Sequence, residues 1–507
     1  MEQTVQSQST FKLNYKRTCL IGFAFFGILL LWQVYDTWCP TFLTEIFAKA
    51  LYPQYAELRA INTKEAIDQC NDIVMKVQYY VGLMMAIDNI AALILLPIFG
   101  KLSDKTHTKI GKRMPYILVG TFVCAVAFPF IPIFFHYNNL IGIIIMMAIV
   151  VLFAMMYRNP AVALMPDITP KPLRSKANGI INIMGYIGGA FAAVVGFVFV
   201  LSQYLGTQIT SEQAYKDGLG PEIGLYRYHT GWYNNIWAVE GPFLVASVLM
   251  LASALVLFFT IKENKVAEEV KDEMERGELA SQTVDKVDDD KPMSKANKIM
   301  LWLILGAEFF WFMADNGIST FLNNYVVYGT HSSSTDTLLL TIAMGVGSVA
   351  GFAIGGILAS KIGRKWTLIG GLGLALLAYV LWGVLTFTLG LPQGKIPVWL
   401  FVLWFVKGFG MSLVHVNSFP MVVELCSSKK IGAFTGYYYA ASMAAQTITP
   451  IALGSLLFID GFDWRFLPVY ASVCIIISLA VFFFVKNVKN NKTKFTSGLE
   501  ALGDAED

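Results

Sequence analysis

Charge is what this chain has least of. Only 14% of its 507 residues are Asp, Glu, Lys or Arg, where a soluble protein carries roughly 25%. Histidine is scarce, at five residues, and no Cys/His spacing suits a metal. The six cysteines include no CxxC pair. Cys19, Cys39, Cys124, Cys426 and Cys474 lie in or beside apolar runs and Cys70 lies in a hydrophilic loop, so no exported pair is placed to form a disulfide. A phosphate-binding P-loop and a nucleophile elbow are both missing, and no hydrophilic segment is large enough to carry either. These absences exclude a disulfide-stapled domain, a metalloenzyme and an ATP-driven pump. A net charge of +3 with pI near 8.3 is too mild for a nucleic-acid partner.

Apolar residues fill the space: 56% of the chain is hydrophobic and the mean hydropathy is +0.57. They fall into twelve runs near the roughly 20 residues a helix needs to cross a bilayer: 18–48, 75–101, 112–135, 138–160, 174–204, 236–262, 298–327, 335–360, 365–390, 396–425, 430–458 and 464–486. The polar start, Met1 to Thr18, precedes a span too long for a signal peptide, so the first helix is expected to be retained. Orientation follows from Gly100 to Pro115, a short turn holding Lys101, Lys105, Lys109, Lys112 and Arg113, which an inserting chain leaves in the cytoplasm. Turns on that side, with both tails, hold twenty-eight Lys and Arg against eight opposite. The expected fold is an all-α polytopic membrane protein with twelve transmembrane helices and both termini cytoplasmic.

A duplication is written into the chain. Trp32, Asp36, Thr41, Phe42 and Leu43 in the first span match Trp311, Asp315, Thr320, Phe321 and Leu322 in the seventh. Asp167 with Gly179 matches Glu424 with Gly436, each pair twelve apart, and the basic turn returns as Lys361, Arg364 and Lys365. Six spans per repeat keep the same orientation, so two parallel six-helix halves are expected, 18–262 and 298–486. A cytoplasmic tail (1–17), a solvated, partly helical linker (263–297) and a C-terminal tail (487–507) complete the chain. Aromatics crowd the loop 202–235, among them Tyr215, Tyr226, Tyr228, His229, Trp232 and Tyr233, as an interfacial belt would.

An ionisable side chain inside a span costs roughly 2.5–3.5 kcal/mol on insertion scales and must be offset by a partner, water or a ligand. Asp36, Asp88, Arg158, Glu308, Asp315, Lys407 and His415 are the candidates. Asp36, beside Gln33, Tyr35 and Trp38, joins a carboxylate for hydroxyl groups to ring faces for C–H contact, which is chemistry that suits a sugar. Asp88 has no cation within one helical turn, as an acid that loads and releases a proton requires. Arg158, before Asn159 and Pro160 at the end of the fourth span, has Asp88, Asp36 or the cytoplasmic surface within reach, and Lys407 has Glu308 or Asp315. Glycines at 185, 188, 189, 345, 347, 351, 355 and 356 mark close helix packing.

The turn GKLSDKTHTKIGKRMPYI resembles the basic loop of sugar carriers of the major facilitator superfamily, specifically the sucrose/proton symporter and glycoside–pentoside–hexuronide/cation symporter group. AIDNIAALILLPIFG, RNPAVALMPDITPKPLRSKANGIINIMG, NSFPMVVEL and GYYYAASMAAQTITPIALG extend the likeness over nearly all the chain. The resemblance implies import of a sugar, a glucoside disaccharide such as sucrose or maltose, with a proton, by rocking of the halves about a central site. An exporter of another small molecule, a sodium-coupled sugar carrier and a non-transporting sensor are the alternatives. Sugar contacts are expected at Gln33, Tyr35, Asp36, Asn89, Arg158, Asn182, Asp315, Asn316, His415 and Asn417, and cation coupling at Asp88 and Asp36. Cytoplasmic gating is expected at Gly100, Asp104, Gly111, Lys112, Arg113, Asp167, Arg174, Gly363, Arg364 and Glu424. Plant-type sucrose carriers add an acid to the arginine of the fourth span; here Arg158 stands alone. A monomer in the plasma (inner) membrane, with no cofactor, no metal and no nucleic-acid partner, is the expected form.

Overall fold

A computed structural model describes residues 12–61, 64–170, 173–199, 236–284, 295–423 and 431–485, with 207–208, 226–227 and Leu425. Its helices are α1 (Tyr15–Leu51), α2 (Tyr55–Ile61), α3 (Lys64–Asp104), α4 (Met114–Ala127), α5 (Phe130–His136), α6 (Leu140–Asp167), α7 (Arg174–Val198), α8 (Trp237–Thr260), α9 (Glu263–Glu269), α10 (Lys271–Val284), α11 (Lys295–Asn324), α12 (Ser334–Ile362), α13 (Arg364–Leu389), α14 (Val398–Val423), α15 (Ile431–Phe458) and α16 (Phe466–Phe483). Among the described residues twelve spans are long and apolar enough to cross a bilayer, α4 and α5 making one of them. A π-turn, Tyr325–Gly329, prolongs α11. The only strands among the described residues are β1 (Thr207–Gln208) and β2 (Tyr226–Arg227), one antiparallel pair inside the loop 202–235. Tyr215, Tyr228, His229, Trp232 and Tyr233 of the expected aromatic belt lie outside the described residues.

Local chemistry sets the ends. The Asn14 side chain accepts from the Arg17 N–H and caps α1, and Asn139 caps α6 through Gly142. Pro129 falls at the break between α4 and α5. Two boundaries depart from expectation well beyond a few residues. The fourth span runs through Pro160 and Pro166 to Asp167, since a proline inside a membrane helix is tolerated when neighbouring helices satisfy the freed backbone. The second begins at Lys64, well before its apolar run, because Ala66, Ile67, Cys70, Ile73 and Val74 are buried while Asp68, Gln69 and Asp72 are exposed. Cys70 therefore sits buried in α3 and not in a loop. The linker is not a simple solvated tether either: Glu263, its first residue, is only 3% exposed.

α1 packs on α3, α6, α7 and α8, while α14 packs on α12 and α13, and α11 on α15 and α16. Between these groups α3 lies along α15, α1 meets α11, and α7 meets α12. The α3–α15 approach depends on glycine. A Cβ at Gly82 would collide with the Pro450 carbonyl, and one at Gly454 would lie 2.6 Å from the Gln78 carbonyl oxygen.

Candidate functional site

Inside the spans, each group of helices carries its own cluster of charges. Asp36 is exposed although α1 is the most buried span, with 67% of its apolar window inside the protein. A residue on a helix enclosed by α3, α6, α7, α8 and α11 is exposed to an interior cleft, not to lipid. Arg158 of α6 lies within electrostatic range of Asp36, and Asp36 within range of Asp88. Gln33, half-buried one turn before, donates through Nε2 to the Thr37 hydroxyl at 3.3 Å. Asp88 is half-buried and accepts from the Tyr35 hydroxyl at 2.6 Å. Tyr35 itself is fully buried, so it holds Asp88 and does not line the cleft, contrary to expectation.

On the other side Lys407 of α14 pairs with Asp315 of α11 at 2.5 Å, settling its choice against Glu308. His415 lies edge-on to the Trp311 and Phe312 rings, at 4.7 and 5.9 Å, within electrostatic range of Asp315. Asn316 is half-buried. Asn182 of α7 is 3% exposed, and its amide nitrogen has no hydrogen-bond partner. Two expected sugar contacts have their amide nitrogens committed to backbone carbonyls. Asn89 donates to the Gln446 carbonyl of α15 at 3.0 Å. Asn417 is fully buried and donates to Leu413 in its own helix at 2.8 Å.

The end of the bundle that carries the basic turns is held within the first six spans. Arg113 reaches Asp104, Asp167 (2.8 Å) and the Ser103 hydroxyl (2.5 Å), and Lys112 adds a 3.0 Å pair to Asp167. Burial alone would pull the Arg113 pKa down; hydrogen bonds and charge from Asp167 and Asp104 more than offset it and hold the group above its ordinary value. Arg174 donates to the carbonyls of Pro166 and Thr169 at 2.9 and 3.1 Å, securing the end of α6. Gly100 lies against the Asn159 amide, where a Cβ would come within 2.6 Å. Gly363, at φ 91°, turns the chain between α12 and α13 ahead of the buried Arg364. Glu424 lies outside the described residues.

Glu263 was not foreseen. Its carboxylate accepts from the backbone N–H groups of Lys112 (2.9 Å), Arg113 (3.1 Å) and Met114 (3.0 Å), supplying α4 with the cap that its own sequence lacks. Gly111, at φ +120°, leaves room for it. Asn264 adds bonds to the Thr108 and Lys109 carbonyls at 2.9 and 3.1 Å.

At the opposite end a polar seam crosses between the two groups of helices. Thr41 donates to Asn324 Oδ1 at 3.0 Å, and Asn324 Nδ2 donates to Thr44 and to Gln78, each at 2.9 Å. Asn323 Nδ2 donates to the Thr41 hydroxyl at 2.8 Å and to the Thr37 carbonyl at 3.0 Å. Tyr328 donates to Glu45 at 2.9 Å, and Glu45 is also held by Arg59 at 2.6 Å and Tyr55 at 3.1 Å. Extending the match of the first and seventh spans by two residues would have pointed here: Thr44–Glu45 fall opposite Asn323–Asn324, a polar pair in two apolar spans.

The sequence profile of the Major Facilitator Superfamily matches residues 21–388 and again 304–502. No curated protein matches the chain. Among solved structures it is similar to the inward-open xylose transporter XylE from E. coli, with 16% identity, 92% of this chain and 96% of that one covered, and a TM-score of 0.59. The partially occluded inward-open form of XylE gives 15%, 94%, 100% and 0.56. A bacterial homologue of the iron transporter ferroportin in an inward-facing state gives 14%, 93%, 99% and 0.57. At such identities these likenesses establish the fold. With a profile matching most of its length and twelve spans through a membrane, the chain is a multi-pass transporter, not an enzyme, and belongs to the Major Facilitator Superfamily.

Proposed function

We propose that this transporter imports a sugar, a glucoside disaccharide such as sucrose or maltose, together with a proton across the plasma membrane. The observation that carries the reading is a charged cluster inside the spans of each half: Asp36, Arg158 and the Tyr35–Asp88 pair in the first six, and Asp315, Lys407 and His415 in the last six. Carboxylates, a guanidinium and an imidazole bind hydroxyl groups, and the Trp32 ring, half-exposed one turn before Asp36, offers a face for C–H contact. With the basic end in the cytoplasm, the polar seam is an outer gate, closed here, and the cleft opens inward. The resemblance of the basic loop to sucrose/proton and glycoside carriers supports the substrate class, as does the fold of the proton:xylose symporter XylE among its structural neighbours.

Asp36 and Arg158 hold the sugar; Asp88 carries the proton. One co-transported charge at ~100 mV yields about 2.3 kcal/mol, enough for more than tenfold accumulation of a neutral solute at about 1.4 kcal/mol per tenfold. Proteoliposomes given a radiolabelled disaccharide panel, with and without an imposed pH step, test this. Uptake should be concentrative only with the step, and Asp88→Asn should abolish accumulation while sparing exchange. Accumulation driven by a sodium gradient instead would replace the proton, and loss of exchange as well would move Asp88 into binding or structure.

A further inference from the structure

Glu308 of α11 is an acid for which neither the fold nor the proposed site has a use. It lies seven residues before Asp315, about 10 Å nearer the cytoplasmic end at 1.5 Å per residue. It is 1% exposed, and neither carboxyl oxygen has a hydrogen-bond partner. The cation that might have served it, Lys407, is taken by Asp315. The titratable groups midway along the elements around α11 include Lys407 and His415 of α14, Tyr438 of α15, Tyr470 and Cys474 of α16, and Tyr35, Asp36 and Cys39 of α1; Asp315 is on α11 itself. Of these Tyr438 is within electrostatic range, its hydroxyl 2.9 Å from Ser418. A bare carboxylate in such a place would be left without water, partner or counter-charge, so the side chain is kept there as the neutral acid.

The position also lies on the helix that reaches the polar seam. The far end of α11 supplies Asn323, Asn324 and, through the π-turn, Tyr328 to the closed outer gate. Opening that gate displaces α11 against α1 and shifts the helix that carries Glu308.

We propose that Glu308 is a proton-carrying site of the C-terminal six spans, loaded as the neutral acid in this conformation and unloaded when α11 moves. Its use in transport rests on the carrier reading above; the presence of the proton does not.

Infrared spectroscopy of the full-length protein in liposomes at neutral pH tests both. The wild type should show the carbonyl stretch of a protonated carboxylic acid with weak hydrogen bonding, and Glu308→Gln, isosteric with the neutral acid, should lose it. If E308Q does not insert, glutamate carrying ¹³C in a Glu240→Gln background makes the assignment, because Glu240 is the other buried glutamate with an unbonded oxygen among the described residues. A band untouched by E308Q or by the label overturns the proposal. On transfer to D2O a carried proton exchanges when α11 moves and the band shifts; a band that stays fixed marks a sealed structural acid and overturns the carrying role. No sugar enters these measurements, so failure of disaccharide uptake leaves their result standing.

Discussion

Replacing Asn324 by Ala should open the outer gate. The side chain is fully buried and makes three hydrogen bonds, to Thr41, Thr44 and Gln78, all across the boundary between the two groups of helices. Hydrogen bonds between membrane helices average about 0.6 kcal/mol in double-mutant cycles, so three amount to about 2 kcal/mol. At about 1.4 kcal/mol per tenfold, that shifts the ratio of outer-closed to outer-open forms by roughly 30-fold. Orphaned Thr and Gln groups, which cost about 1–3 kcal/mol each when left buried, push the same way. Spin labels at Gln54→Cys and Asp460→Cys, exposed on either side of the gate, with the exposed Cys19 replaced by Ser, report the populations by pulsed dipolar spectroscopy. The variant should gain a longer-distance component. An unchanged distribution in a variant that melts like the wild type would refute the gate.

Glu263→Ala removes the acceptor of the N–H groups of Lys112, Arg113 and Met114; at about 1.5–3 kcal/mol for a hydrogen bond to a charged group, trypsin should cut the basic turn much faster, with Glu263→Gln intermediate. Gly111→Ala should do the same, because its Cβ would strike the Glu263 carboxylate at a φ that L-residues rarely adopt. Lys407→Met should destabilise, by less than the about 3–5 kcal/mol of a fully buried pair, by leaving the half-buried Asp315 without its cation, and adding Asp315→Asn should recover most of the melting temperature. His331, 8% exposed between α11 and α12, has its pKa lowered by burial to about 4. Below about pH 6.5 the unfolded chain binds a proton that the folded one refuses, so stability falls from there down to about pH 4, by about 3 kcal/mol in all. His331→Asn, tolerant of the φ of 52°, should flatten that loss in melts at about pH 7 and about pH 5.

The twelve spans could be read from the sequence because length and hydropathy decide insertion. Which face of a span looks inward could not. In a helix apolar all round, periodicity carries little information, and a polar residue such as Asn89 or Tyr35 reads the same whether it lines a cleft or ties two helices together. Partner choice was equally hidden: Glu308 and Asp315 are two turns apart on one face, and only the depth at which α14 crosses α11 decides that Lys407 meets the second. Glu263 looked like part of a charged, solvated run, since nothing local signals that a carboxylate at the end of the sixth span caps the third.

The distribution of bonds has a logic that bears on transport. The strong charged contacts, Arg113 with Asp104 and Asp167, Glu45 with Arg59, and Asp315 with Lys407, each join residues on the same side of the boundary. The contacts that cross it are neutral amide and hydroxyl hydrogen bonds, with Tyr328 to Glu45 and the exposed Lys76–Asp460 pair at 3.8 Å as the only charged participants among the crossing bonds described. Breaking a buried ion pair at every turn would cost several kcal/mol and strand a charge; an amide bonded to a hydroxyl exchanges its partner for water at little cost. Glu45 keeps Arg59 and Tyr55 when Tyr328 leaves, so even that acid is never bare. A gate built this way stays shut by the sum of weak bonds and can open without uncovering a charge, which a carrier driven by a gradient of a few kcal/mol requires.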